Sequence, residues 1–113
     1  MRIYHNPRCS KSRQTLALLQ ERGVEPEIIR YLETPPDKAE LQQLLGKLGI
    51  GARQLLRRGE AEYKELDLQR SELSDAELID AMSRHPKLIE RPIVVAGERA
   101  CIGRPPEKVL ELL

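Results

Sequence analysis

Residues 4–15, YHNPRCSKSRQT, place one cysteine among cations. The thiolate is the nucleophilic form of cysteine, and a free thiol with a pKa of ~8.5 is mostly protonated at neutral pH. Three features of this stretch act against protonation. A helix is predicted to start at Ser10, so Cys9 stands at or just before backbone N–H groups that favour an anion. Arg13 follows four residues later, on the same helical face. Arg8, Lys11 and His5 add positive or potentially positive charge. An inert buried thiol would have apolar neighbours, and these are polar and cationic, which favours a reactive Cys9.

The spacing restricts the reaction. A dithiol oxidoreductase would read Cys-x-x-Cys, and Ser12 occupies the fourth position. A low-molecular-weight phosphatase loop would read Cys-x5-Arg, and Thr15 takes the arginine's place. A papain-like protease needs a distant catalytic histidine and a larger scaffold. The pattern left is a monothiol that passes its chemistry to an outside thiol. Other arginines indicate what it attacks. Arg57 and Arg58 sit in LLRRGE, Arg91 precedes Pro92 before a predicted hairpin, and Arg104 precedes Pro105 after it. A tight hairpin returns the chain to its start, so Arg91 and Arg104 are expected side by side. Guanidinium forks grip tetrahedral oxyanions bidentately, and a thiolate beside them suggests attack on an oxyanion.

Positioning these groups requires strands and helices in a set order. Residues 1–4 read as a strand, NPRCS as a turn, and a helix from Ser10 has Thr15, Leu16 and Leu19 on one face until Gly23 stops it. EIIRYL, residues 27–32, reads as a second strand, parallel to the first across the helix. A helix is then predicted with Thr34 as cap and Pro35 in first position, carrying Leu41, Leu44, Leu45 and Leu48 at i, i+3, i+4, i+7 spacing. AEYKELDLQRSEL reads as a short helix and a loop. Ser74 and Glu77 form an S-x-x-E capping box for a helix that Pro86 ends after about His85. Residues 93–96 and 99–102 read as a hairpin about Gly97-Glu98. A final helix begins at Pro105 and Pro106 with Val109, Leu110 and Leu113 facing inward. The order is β-α-β, a helical block over residues 37–90, then β-β-α: one α/β domain, residues 1–113, with the thioredoxin topology and a helical insertion between its second and third strands.

Composition excludes several classes. A chain of 113 residues with 40% hydrophobic and 33% charged residues suits a single soluble domain. A net charge of +1 and 3% aromatic residues argue against nucleic-acid binding by charge or base stacking. No apolar run reaches the roughly 20 residues of a membrane span, and the start lacks a secretory h-region, so a cytoplasmic location is expected. Two cysteines, Cys9 and Cys101, and two distant histidines, His5 and His85, provide neither a disulfide framework nor metal-ligand spacing. A monomer is expected.

The segments IYHNPRCSKSRQTL, IIRYLETPP, LLRRGEAEYKEL, LIDAMSRHPKLIERPIVV and CIGRPPEKVLELL resemble the glutaredoxin-coupled arsenate reductases over essentially the whole chain. The resemblance implies a thioredoxin-like fold with a helical insertion. It implies that Cys9 attacks arsenate, that Arg57, Arg91 and Arg104 bind the oxyanion, and that His5 and Ser12 support the thiolate. Glutathione would be the co-substrate, with no tightly bound cofactor; arsenic would leave as arsenite, and glutaredoxin would clear the Cys9–glutathione disulfide. Pro92 would be a cis proline beside the cysteine. Gly103 departs from the pattern, because the best-matched reductase has cysteine before the arginine corresponding to Arg104. Cys101 reads as a buried strand residue, and the chain stops at Leu113 without the charged tail of longer members. Two alternatives remain: a glutathione-dependent thiol-disulfide oxidoreductase of the same fold, and a non-catalytic regulatory module that binds a protein partner.

Overall fold

A computed structural model describes all residues, Met1–Leu113. The chain divides into two compact units, Met1–Thr34 with Arg91–Leu113, and Pro35–Glu90. The first unit holds a four-stranded sheet in the order β2-β1-β3-β4, from β1 (Arg2–Tyr4), β2 (Glu27–Ile29), β3 (Ile93–Ala96) and β4 (Arg99–Ile102). The β1–β2 pair is parallel, with Ile3 opposite Ile28, and the β1–β3 and β3–β4 pairs are antiparallel. The connection between β1 and β2 is helix α1 (Ser10–Glu21). A helical block separates β2 from β3 in sequence, and the whole is the expected thioredoxin-like α/β order.

The core of this unit is Ile3, Leu19, Val94 and Val109, all fully buried, with Leu16, Leu18, Val24, Cys101 and Leu112 packed against them. Burying each such aliphatic side chain contributes about 1.5–3 kcal/mol. The β3 run IVVA has buried residues on both faces from Ile93 to Val95, which suits an inner strand covered on each side. Both hairpin strands have the predicted limits, and Gly97 adopts φ +62 at the turn, where an L side chain would be strained.

Three boundaries differ from expectation. The strand β2 ends at Ile29, three residues early, because the N–H groups of Glu33 and Thr34 both turn back to the Arg30 carbonyl at 2.9 Å. The next helix, α2 (Lys38–Leu48), is capped by Asp37, which accepts from the Glu40 N–H at 2.8 Å. Thr34 cannot take that role with Pro35 as first helical residue: Pro36 follows Pro35 and disfavours helical backbone there. The C-terminal element, Pro106–Leu112, is a 3-10 helix. Its three-residue turn aligns Pro106, Val109 and Leu112, so the buried side is these residues, while Leu113 is 53% exposed instead of facing inward.

The second unit is helical. The buried residues Leu41, Leu44 and Leu45 of α2 share a face, and α2 packs on α5 (Asp75–Arg84), whose Leu78, Ile79, Ala81 and Met82 are buried. Ser74 and Glu77 form the predicted capping box, with Glu77 N–H to Ser74 Oγ at 3.2 Å and Ser74 N–H to Glu77 Oε1 at 3.2 Å. The short helices α3 (Ala52–Leu55) and α4 (Ala61–Glu65) lie between. A bridge between Leu56 and Ile89 closes the unit, flanked by Arg57 N–H to the Leu88 carbonyl and Glu90 N–H to the Leu55 carbonyl, both 2.8 Å. No helix is long and apolar enough to cross a membrane.

Candidate active site

The turn between β1 and α1 is organised by Asn6. Its carbonyl accepts from the Cys9 N–H at 3.0 Å, its side-chain oxygen accepts from the Arg8 N–H at 3.0 Å, and its own N–H donates to Ser12 Oγ at 3.0 Å. Asn6 was not among the sequence-derived site residues, though the tendency of asparagine to bond backbone two residues on is a recognisable signal. The bonds leave Cys9 as N-cap of α1, with φ −95 and ψ 124, partly buried. An N-cap faces the N–H groups of the first helical turn, which have no partner within the helix.

Cys9 has a lowered pKa. Burial opposes ionisation, but it is outweighed by the Ser12 N–H, the positive charge of Arg91, the Lys11 N–H and a hydrogen bond from Arg91. The neutral side chain makes no standard capping hydrogen bond; these donors act on the thiolate. Arg13 does not act as its spacing suggested. Cys9 has extended backbone, so the i,i+4 helical alignment does not reach it, and the Arg13 guanidinium donates to the Pro7 carbonyl at 3.0 Å. It fastens the turn, and Arg91, distant in sequence, faces the sulfur.

His5 also differs from the cationic role considered for it. Burial lowers its pKa, and the charges of Arg30 and Arg13 lower it further, which favours the neutral imidazole. Its Nδ1 lies 2.7 Å from Ser12 Oγ. Both side chains are buried, and the pair ties the end of β1 to the first turn of α1.

The return from β4 completes this side. Arg104 donates from Nη1 to the Arg91 carbonyl at 3.2 Å, and the Gly103 N–H donates to the Pro92 carbonyl at 2.9 Å. The two arginines are therefore adjacent, as the hairpin required. The Arg91–Pro92 bond is cis, as the resemblance implied, and Arg104–Pro105 is also cis. Gly103 is a missed positional requirement: a Cβ there would lie 2.6 Å from Thr15 Oγ1 and 3.0 Å from Pro92 Cγ. Thr15 bonds Lys11 O at 2.8 Å and approaches Gly103 O at 3.4 Å, linking α1 to the loop after β4. Cys101 pairs with Val94 in the sheet, and burial followed by the Glu111 carboxylate raises its pKa, which keeps it a thiol.

The first unit thus brings together Cys9, His5, Ser12, Arg13, Arg91 and Arg104. Arg57 belongs to the second unit, where its guanidinium meets Glu60 Oε1 at 2.8 Å and the Lys87 carbonyl at 3.4 Å. A larger cavity, of about 660 Å³, runs along α5, but it contains no nucleophile and its Lys38 and Arg84 are both engaged by Asp80. No three His, Cys, Asp or Glu side chains converge.

Known proteins match this chain along nearly its full length. The chain is 61% identical over 114 residues to the uncharacterized protein YfgD of Escherichia coli, covering 100% of this chain and 96% of that one. It is 54% identical over 112 residues to an arsenate reductase of Haemophilus influenzae, covering 98% and 97%. The structure of an arsenate reductase from Vibrio cholerae superposes with a TM-score of 0.97 at 57% identity, over 99% of this chain and 96% of that one. Residues 4–112 match the ArsC family, and this chain belongs to it.

Proposed function

We propose that this protein is an arsenate reductase that takes its electrons from glutathione, with glutaredoxin clearing the product disulfide. The observation that carries it is the Cys9 sulfur at an N-cap, with Arg91 holding the thiolate form and Arg104 bonded to the Arg91 carbonyl. A thiolate beside one guanidinium, with a second bonded to that arginine's backbone, suits a tetrahedral oxyanion. Relatives of closely similar length carry the name arsenate reductase, which supports the same substrate. For Arg57 as a third oxyanion ligand, the support is the sequence resemblance. His5 and Ser12 act as positioning residues for the turn.

The electron balance needs an outside thiol. Cys9 sulfur bonds to arsenic as one arsenate oxygen leaves as water. A glutathione sulfur then bonds to Cys9 sulfur, and the S–As electron pair stays on arsenic. Arsenic falls from As(V) to As(III), the two sulfurs each lose one electron, and arsenite departs. Cys101 is not the second thiol in this scheme, since it sits in the sheet core with a raised pKa.

Arsenate turnover measured with glutathione and glutaredoxin, and with either omitted, tests this. The expected result is turnover in the complete mixture alone, abolished by Cys9→Ser. Absence of turnover in the wild-type protein, or turnover that survives Cys9→Ser, rejects the reading. Arg91→Ala is expected to weaken arsenate binding and to move Cys9 alkylation to higher pH, because it removes the cation that favours the thiolate.

A further inference from the structure

A groove of about 240 Å³ opens beside the Cys9 turn, with residues 5–8 on one wall and Arg30, Leu32 and Glu33 on the other. Arg8, the residue before Cys9, lines it, so the groove borders the turn that carries the thiol. Each wall presents one guanidinium, Arg8 and Arg30, and Glu33 adds one carboxylate. The backbones beneath them are fixed. Arg8 N–H is held by Asn6 Oδ1 at 3.0 Å, and the Arg30 carbonyl accepts two N–H groups at 2.9 Å. The charge of Arg30 reaches His5 across the groove. Arg30 and Glu33 approach each other only to 4.0 Å, and both are more than half exposed. Such a pair is weak and exchanges readily for ligand charges. Pro7 and Leu32 give the groove apolar surface between its charged ends.

We propose that this groove seats the co-substrate thiol as a zwitterionic thiol peptide of the glutathione class, its carboxylates on Arg8 and Arg30, its ammonium on Glu33, and its sulfur directed to Cys9. The proposal rests on the thiol-dependent reading above and assigns that thiol a place on the first unit. Two cations and one anion match a peptide with two carboxylates and one amine, whereas an uncharged thiol would use none of them.

Disulfide exchange tests the seat without arsenate. The Cys9 thiolate attacks oxidised glutathione; one new S–S bond forms, the old one breaks, and reduced glutathione leaves with the electron pair, so no other oxidant is needed. The second-order rate is compared with that for 2-hydroxyethyl disulfide, which has the same bond and no charge. In Arg30→Glu, the rate with oxidised glutathione is expected to fall about tenfold, as for loss of a charge-assisted hydrogen bond, while the rate with the neutral disulfide holds. Glu33→Ala is expected to slow oxidised glutathione more than its N-acetylated form. Equal losses with both disulfides, no loss at all, or an equal loss in Arg22→Glu, an exposed charge outside the groove, overturns the seat. A wild-type protein that discriminates the two disulfides but does not reduce arsenate would keep the seat and reject the substrate; arsenate turnover with unaltered discrimination in Arg30→Glu would do the reverse.

Discussion

The two units use polar residues in different ways. In the helical unit, Pro35–Glu90, polar groups end helices: Asp37 caps α2, the Ser74–Glu77 box caps α5, and no polar or charged side chain is buried. In the sheet unit the buried polar residues are His5, Ser12 and Thr15, all in or beside the turn that carries Cys9, and both cis peptide bonds flank its hairpin. Charge divides similarly. The sheet unit has ten Lys and Arg against seven Asp and Glu, and the helical unit nine against eleven. Polar groups taken from water need partners: His5 and Ser12 pair with each other, and Thr15 donates to the Lys11 carbonyl and approaches that of Gly103. One unit follows local rules for stability; the other departs from them where a thiolate has to be held.

Substitutions should separate these roles. The largest effect is expected for Cys9→Ser: loss of turnover by about a thousandfold or more with the cooperative unfolding transition retained, read by steady-state assay and calorimetry. Leu41→Ala, at a fully buried position of α2, is expected to cost about 2–5 kcal/mol in denaturant unfolding, with kcat unchanged while the protein stays folded. Gly103→Ala crosses the divide. The clash with Thr15 and Pro92 should cost about 1–3 kcal/mol and also raise KM for arsenate by displacing Arg104; Thr15→Ser combined with it should leave part of the loss, since Oγ1 is the nearest atom. Asp37→Ala should cost about 1 kcal/mol, whereas Thr34→Ala should cost almost nothing, and equal losses in the two would contradict the observed cap.

The smallest effect concerns pH. His5 has a folded pKa below the unfolded value of about 6.5. The unfolded chain therefore binds the proton first as pH falls, and stability drops from about pH 6.5 down to the lower folded pKa. His5→Asn should flatten that acid limb in urea titrations at a series of pH values. An unaltered limb would mean that other groups produce it. Cys9 has the same direction of shift, so its thiolate contributes stability above the unfolded thiol pKa of about 8.5, and that contribution is lost as pH falls through the folded value.

Much of this was legible in the linear chain. The hairpin strands, the Ser74–Glu77 box, the α2 leucine face and the start of α1 at Ser10 rest on hydrogen bonds and side-chain spacing within a few residues, and such signals survive without tertiary information. Proline pairs override such local signals: Pro35-Pro36 displaces the α2 cap to Asp37, and Pro105-Pro106 leads into a 3-10 helix with a different buried face.

By itself the sequence determined that one thiol without a local partner stands before a helix, among cations, in a βαβ…ββα order. Tertiary structure decided which cation serves it. Arg13 is four residues away yet bonds Pro7, and Arg91 reaches the sulfur because β3 lies beside β1. It also decided that His5 takes up a proton less readily than a free imidazole, since burial and the Arg30 charge depend on packing, and that a Cβ at position 103 would press on Thr15, 88 residues away in the chain. Local hydrogen bonds are encoded by neighbours in the chain, whereas electrostatics and close contacts depend on distance in space.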